Sequence, residues 1–190
     1  AMARLWQQHA LPAPFTRVLL CSEYIPASVE RTLSRIWDCR VYSHYGTVET
    51  GLGGGVECAC LCGAHLREAD LLLEIIDPES LEQLALGQWG EIVVSTLTRQ
   101  AQPLLRYRTG DLGRLLPDVC QCGSVLRRLD KVQGRLSQRV PLADGSQLSL
   151  GRLDELLLDI PEIMNFHAAL SKGRLLKLEL LALPGHAEAA

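Results

Sequence analysis

The sequence predicts a mixed α/β fold, and three observations lead to it. An apolar run at Thr16–Cys21, an amphipathic stretch and a second run at Arg40–Tyr45 make a strand-helix-strand unit, the usual mark of a parallel sheet edge with a right-handed crossover. Between Leu71 and Val132, short β-branched runs alternate with turn clusters, which suggests a small barrel-like β subdomain. After Arg135, a hairpin signal, a short amphipathic helix and a strand pair form a third, α+β unit. The expected domains are residues 1–50, 51–134 and 135–190.

Each element has a local reason. Ala1–His9 reads as a short helix closed by Leu11-Pro12-Ala13-Pro14. Thr16–Cys21 is continuously apolar and suits a buried strand. Pro26 and Ser28 open a helix through Trp37, with Val29, Leu33, Ile36 and Trp37 near helical spacing. Leu71–Ile76 and Glu91–Thr98 are strands, the first stopped by Asp77-Pro78-Glu79-Ser80. Leu104–Tyr107 is expected to be extended, Arg108-Thr109-Gly110-Asp111 to turn, and Leu126–Val132 to be a last strand. Gln138–Pro141 and Gln147–Leu150 flank a hairpin turn at residues 143–146. Leu150–Leu158 reads as a helix, and Asn165–Ser171 and Leu175–Leu183 as strands joined at Lys172-Gly173.

A chain of 190 residues, 47% hydrophobic and 22% charged, can bury a sizeable core. A net charge of −3 supplies no general attraction for nucleic acid. No apolar run approaches a membrane span, and the N-terminus lacks the signal-peptide pattern. A cytoplasmic protein with no membrane or nucleic-acid partner is therefore expected. The opening residues resemble the middle of a helix, which points to a fragment of a longer protein.

Five of the seven cysteines fall in C-x-C-x-C and C-x-C arrangements. Close spacing beside a histidine favours metal over disulfides, and an odd count fits full pairing poorly. Zinc takes about four soft or borderline ligands, supplied as pairs from separate loops. Cys58-x6-His65 forms one half and Cys120-x-Cys122 the other, with Cys60 and Cys62 as alternatives. Gly63 and Gly123 give the backbone freedom beside them. Because four protein ligands leave no open position, the metal is expected to be structural.

A second set of residues can hold a nucleotide. Tyr45 can stack on a purine, Glu49 can hold Mg2+, and Asp111 can accept hydrogen bonds from ribose hydroxyls. The run Gly51–Gly55 is not a P-loop, because no Gly-Lys-Ser/Thr follows and it opens no helix. Arg127, Arg128, Lys131 and Arg135 read as a solvated strand face, with Arg135 the best placed for a phosphate.

Taken together, HYGTVETG, ECACLCGAHLREADLLLEIIDPES, GQWGEIVVSTLTRQAQPLLRYRTGDLGRLLP, CQCG and RRLDKVQGR resemble the phenylacetate–CoA ligase branch of the adenylate-forming enzymes, over roughly residues 16–183. The resemblance implies ATP-dependent adenylation of an aryl or other small carboxylic acid, then transfer of the acyl group to coenzyme A. It assigns Ser22 and Glu23 to the adenine and acyl pocket, and Tyr45, Gly46 and Thr47 to the adenine side. Glu49 becomes the catalytic Mg2+ ligand, Asp111 the ribose ligand, and Arg135 a ribose or phosphate contact. Structural zinc, AMP or ATP with Mg2+, coenzyme A and a homodimer complete the implied set. Residues 1–50 become the end of the large AMP-binding domain, 51–134 the zinc-bearing β subdomain, and 135–190 the start of a mobile lid hinged at Gly134–Gln138. Three departures stand out. Val48 occupies the family's usual threonine position, the hinge reads Leu136-Ser137-Gln138 in place of paired acids, and the sequence ends before the position expected for the lid's catalytic lysine. The fragment alone is expected to be inactive. The alternative is a non-catalytic, ligase-like module that binds nucleotide or a partner and is stabilised by zinc.

Overall fold

Strand-forming residues dominate residues 40–113, and the computed structural model places them in two sheets. The structure describes residues 2–9, 12–21, 24–51, 53–142, 144–171 and 175–183. In chain order the elements are α1 (Met2–Gln8), β1 (Arg17–Leu20), α2 (Ala27–Trp37), β2 (Arg40–Tyr45), β3 (Gly55–Glu57), β4 (Ala64–Leu66), β5 (Leu71–Ile76) and β6 (Gly90–Thr96). They continue with β7 (Tyr107–Gly113), β8 (Arg128–Leu129), β9 (Arg139–Pro141), β10 (Gln147–Ser149), α3 (Leu150–Leu157), β11 (Ile163–Ser171) and β12 (Leu175–Ala182). They group into two compact units, one of residues 1–18, 25–41 and 138–190, the other of residues 19–24 and 42–137. Residues 1–50 are thus shared between the units.

The second unit carries both sets of candidate residues. One sheet runs β5-β6-β7 and the other β1-β2-β3-β4-β8. Every residue of β6 is buried, which fits a central strand of Ile and Val with a neighbour on each edge. Leu66, Leu73, Ile75, Ile92, Val94, Leu115 and Leu129 form the core, with Tyr45, Leu84 and Val132 packed against it. Burying each large aliphatic side chain contributes roughly 1.5–3 kcal/mol.

Four expectations need correction. The sheets do not close into a barrel, because residues 114–132 are spent on a knuckle and loops and leave only the two-residue β8 as a ladder. Arg108-Thr109-Gly110-Asp111 is not a turn but lies inside β7. A register shift between Glu91 and Val93 absorbs two extra residues of β7 there, with Gly110 at φ 75°. Thr109 Oγ1 donates to the Ile92 carbonyl (2.9 Å) and the Gly110 amide donates to Glu91 Oε1 (3.1 Å), so side chains satisfy the bulge. The third concerns β1, which alternates exposed and half-buried residues and leaves Leu19 54% exposed, because no described layer covers that face. Fourth, Arg127 and Arg128 are not a solvated face, since Arg127 pairs with Glu68 and Arg128 is buried.

In the first unit, Pro26 is the N-cap of α2 and makes no side-chain capping hydrogen bond, and the Glu155 carboxylate accepts from the Ala27 amide (3.0 and 3.1 Å). The Arg4 guanidinium donates to the carbonyls of Leu158 (3.0 Å) and Pro161 (2.7 Å), beyond the end of α3. Ser149 caps α3 through the Arg152 amide. β9 and β10 form an antiparallel hairpin, as do β11 and β12. The turn expected at Lys172-Gly173 lies outside the described residues.

Candidate functional site

The tip of β2 and the bulge of β7 bring the first set of residues together. Tyr45 ends β2, its ring packed on the core, and its hydroxyl donates to Asp111 Oδ2 (3.0 Å). Arg135 Nε stands 3.4 Å from Asp111 Oδ1. The Leu112 amide donates to the Gly134 carbonyl (2.9 Å), and Asp111 and Arg135 form an isolated bridge, so the chain after Gly134 is stitched to β7. Burial raises the Asp111 carboxyl above its ordinary value even though Tyr45 and Arg135 pull it down. Burial and then the Asp111 charge raise the Tyr45 phenol, which stays neutral and donates.

Glu49 sits on the adjoining turn. Its Oε1 accepts from the Tyr107 hydroxyl (3.0 Å). Its own backbone N–H, then the Thr47 hydroxyl and Tyr107, hold its carboxyl below the ordinary range. The turn is locked by exchange between two threonines, with the Thr47 amide donating to Thr50 Oγ1 (2.8 Å) and the Thr50 amide to Thr47 Oγ1 (3.3 Å). Gly46 is constrained, because a Cβ there would meet the Gly51 carbonyl and His44 at 3.2 Å. Val48 is 92% exposed. Ser22 and Glu23 lie outside the described residues.

The second set is the Cys/His cluster. Donor atoms of Cys58, His65, Cys120 and Cys122 all lie within 4.8 Å of one another. The sulfurs of Cys58 and Cys120 are 3.6 Å apart, and Cys122 Sγ is 3.4 Å from His65 Nε2. Metal–sulfur bonds of about 2.3 Å in a tetrahedron put ligand atoms roughly 3.7 Å apart, so these separations fit one ion. Cys62 Sγ is also 3.6 Å from Cys120 Sγ, whereas Cys60 is exposed and its amide donates to Cys58 Sγ (3.4 Å). The donors come from the β3–β4 hairpin and from the knuckle before β8. β4 pairs β8 with His65 opposite Arg128, which holds the two loops together. Gly63 (φ 98°) and Gly123 (φ 83°) take the left-handed backbone that each loop needs.

Two residues escaped sequence reasoning. Tyr107, which holds Glu49, directly precedes Arg108-Thr109-Gly110-Asp111, whose turn-forming residues hide the strand it opens. Arg128 is buried beside the cysteines, and its one legible signal was its place between the apolar Leu126 and Leu129 in a β segment.

No family profile matches the chain. Curated relatives do match part of it. A phenylacetate–coenzyme A ligase of Thermus thermophilus is 37% identical over 123 residues, 63% of this chain and 27% of the relative. One of Escherichia coli is 40% identical over 94 residues, 48% of this chain and 21% of the relative. The chain thus spans about a quarter of the length of these relatives. Among solved structures, a 2-hydroxyisobutyryl-CoA ligase in the postadenylation state matches 100% of this chain and 42% of its own with TM-score 0.85 at 18% identity. An O-succinylbenzoate coenzyme A synthetase of Bacillus subtilis in complex with AMP matches 96% of this chain and 40% of its own, with TM-score 0.62 at 18% identity. At that identity the structural matches establish the fold alone.

Proposed function

We propose that this chain, a relative of the phenylacetate–CoA ligases over about two thirds of its length, is the nucleotide-gripping and metal-bearing part of an AMP-forming acid–CoA ligase. Such an enzyme joins a carboxylate to the AMP moiety of ATP with release of pyrophosphate, then passes the acyl group to the thiol of coenzyme A with release of AMP. The observation that carries the reading is Asp111, a carboxylate oriented by Tyr45 at 3.0 Å with Arg135 at 3.4 Å. A carboxylate so held accepts from the paired hydroxyls of a ribose, and Arg135, 61% exposed, remains able to reach a phosphate oxygen. Tyr45 offers a ring at the β2 tip for adenine, with Gly46 and Thr47 shaping the backbone beside it. Glu49, kept ionised on its turn, would hold Mg2+, which screens phosphate charge as the acyl oxygen attacks. Cys58, His65, Cys120 and Cys122 would hold zinc, which ties the β3–β4 hairpin to β8. An aryl acid, a cytoplasmic setting and a homodimer belong to the same proposal.

The test is a chimera in which this chain replaces the matching section of the Thermus thermophilus relative. Acid-dependent ATP–pyrophosphate exchange followed by thioester formation supports the reading, and Asp111→Asn should abolish the exchange. A folded chimera with neither activity would refute it. The exposed Val48, which brings no hydroxyl to the phosphate side, favours a second reading as a non-catalytic nucleotide-binding module. AMP binding without exchange would select that one.

A further inference from the structure

We infer that Arg128 is the clamp and the charge partner of the Cys/His site. It joins the two loops that carry the ligands and balances the negative charge of their thiolates. This rests on the reading of that cluster as a metal site. Arg128 is 6% exposed, and a guanidinium taken out of water is costly unless its charge is answered. Its contacts are unusual in kind. Nη1 donates to the Cys62 carbonyl (2.5 Å) and to Cys62 Sγ (3.0 Å), and Nη2 donates to the Asp118 carbonyl (2.6 Å). The ion pairs among the described residues couple seven other arginines and one lysine to carboxylates, and Arg128 is in none of them. Two carbonyls and the Cys62 sulfur take bonds from Nη1 and Nη2, the buried Nε has no hydrogen-bond partner, and the charge is left unanswered.

The answering charge is the thiolate cluster. Three thiolates and a neutral imidazole leave a bound zinc dication with one net negative charge, which the single guanidinium cancels. The position is also mechanical. Cys62 lies between ligands Cys58 and His65, and Asp118 lies just before Cys120. Holding both carbonyls with one rigid fork fixes the distance between the loops. The β4–β8 register sets Arg128 directly across from His65, so both side chains project from the same face. Cys62, whose sulfur accepts from Arg128 (3.0 Å), lies 3.6 Å from the sulfur of Cys120, so the guanidinium is one side chain away from a ligand.

The experiment measures zinc stoichiometry and chelator-competition affinity on the full 190-residue chain, as wild type, Arg128→Met, Arg128→Lys and the control Arg114→Met. Arg114, in the same unit, pairs with Asp130 and stacks on the Trp89 ring. Urea midpoints of the metal-free proteins separate loss of fold from loss of affinity. Wild type should hold one zinc, and Arg128→Met should bind it about 10–100-fold more weakly, the usual effect of losing a group that orients ligands. Arg128→Lys, which keeps the charge without the fork, should fall between the two, and Arg114→Met should match wild type. A zinc-free wild type overturns the metal reading and the inference with it. A wild type that holds zinc, with Arg128→Met binding it equally well, overturns the inference alone. If Arg128→Met does not fold, Arg128→Lys decides, because an affinity equal to wild type refutes the clamp.

Discussion

Two glycines in equivalent loops give a measurement in which geometry predicts different costs for the same substitution. Gly63 and Gly123 each follow a cysteine, and both have positive φ, 98° and 83°. Replacing either by alanine imposes the left-handed penalty of about 1–2 kcal/mol. Space separates them. A Cβ at Gly63 would lie 2.9 Å from the Leu129 carbonyl and 2.7 Å from Leu116 Cδ1, while one at Gly123 meets nothing within 4 Å. Leu129 belongs to the core and is 1% exposed, so its backbone cannot retreat without opening that core. Overpacking of this kind adds about 1–3 kcal/mol. Gly63→Ala should therefore cost about 2–5 kcal/mol and Gly123→Ala about 1–2 kcal/mol. Urea titration followed by circular dichroism resolves this, because slopes of about 1–3 kcal/mol per molar turn the difference into roughly 1 M between midpoints. Equal midpoint shifts in the two variants would show that the tight packing behind Gly63 is not real.

Other consequences are as specific. Ile92 is fully buried at the centre of β6, so Ile92→Ala should lower stability by about 2–5 kcal/mol, read from the same titration, and a loss under about 1 kcal/mol would contradict the core described above. Tyr107→Phe removes a hydrogen bond that helps hold the Glu49 carboxyl below its ordinary 4.5, so that pKa should rise toward 4.5 in carbon NMR of the side chain. The sign follows from a depressed folded value. The stabilisation is complete above pH 4.5 and fades as pH falls through the folded pKa, so the variant should lose it at higher pH than wild type. An unmoved Glu49 titration would sink the Tyr107 assignment. Cys120→Ser should lose zinc, whereas Cys60→Ser and Cys62→Ser should each retain one per chain by elemental analysis; loss on Cys62→Ser would move that residue into the ligand set.

Local chemistry was enough wherever an element is decided by its own residues. Leu71–Ile76 was legible because a short apolar run ends at an Asp-Pro turn, and α2 because a proline precedes helically spaced apolar residues. Cys58, His65, Cys120 and Cys122 could be picked out because few other arrangements explain close cysteines beside a histidine, and the fold brings those four donors together. Arg108-Thr109-Gly110-Asp111 could not be read this way. Its glycine and aspartate are turn formers, yet pairing with β6 draws them into a bulged strand, and only that pairing carries Asp111 to Tyr45. Arg128 shows the same limit more sharply. By residue type it belongs in water, and only the pairing of β8 with β4 turns it inward against two loops. Residue type and spacing set short-range preferences, while the long-range ladder decides which groups meet and whether a charge is buried or solvated.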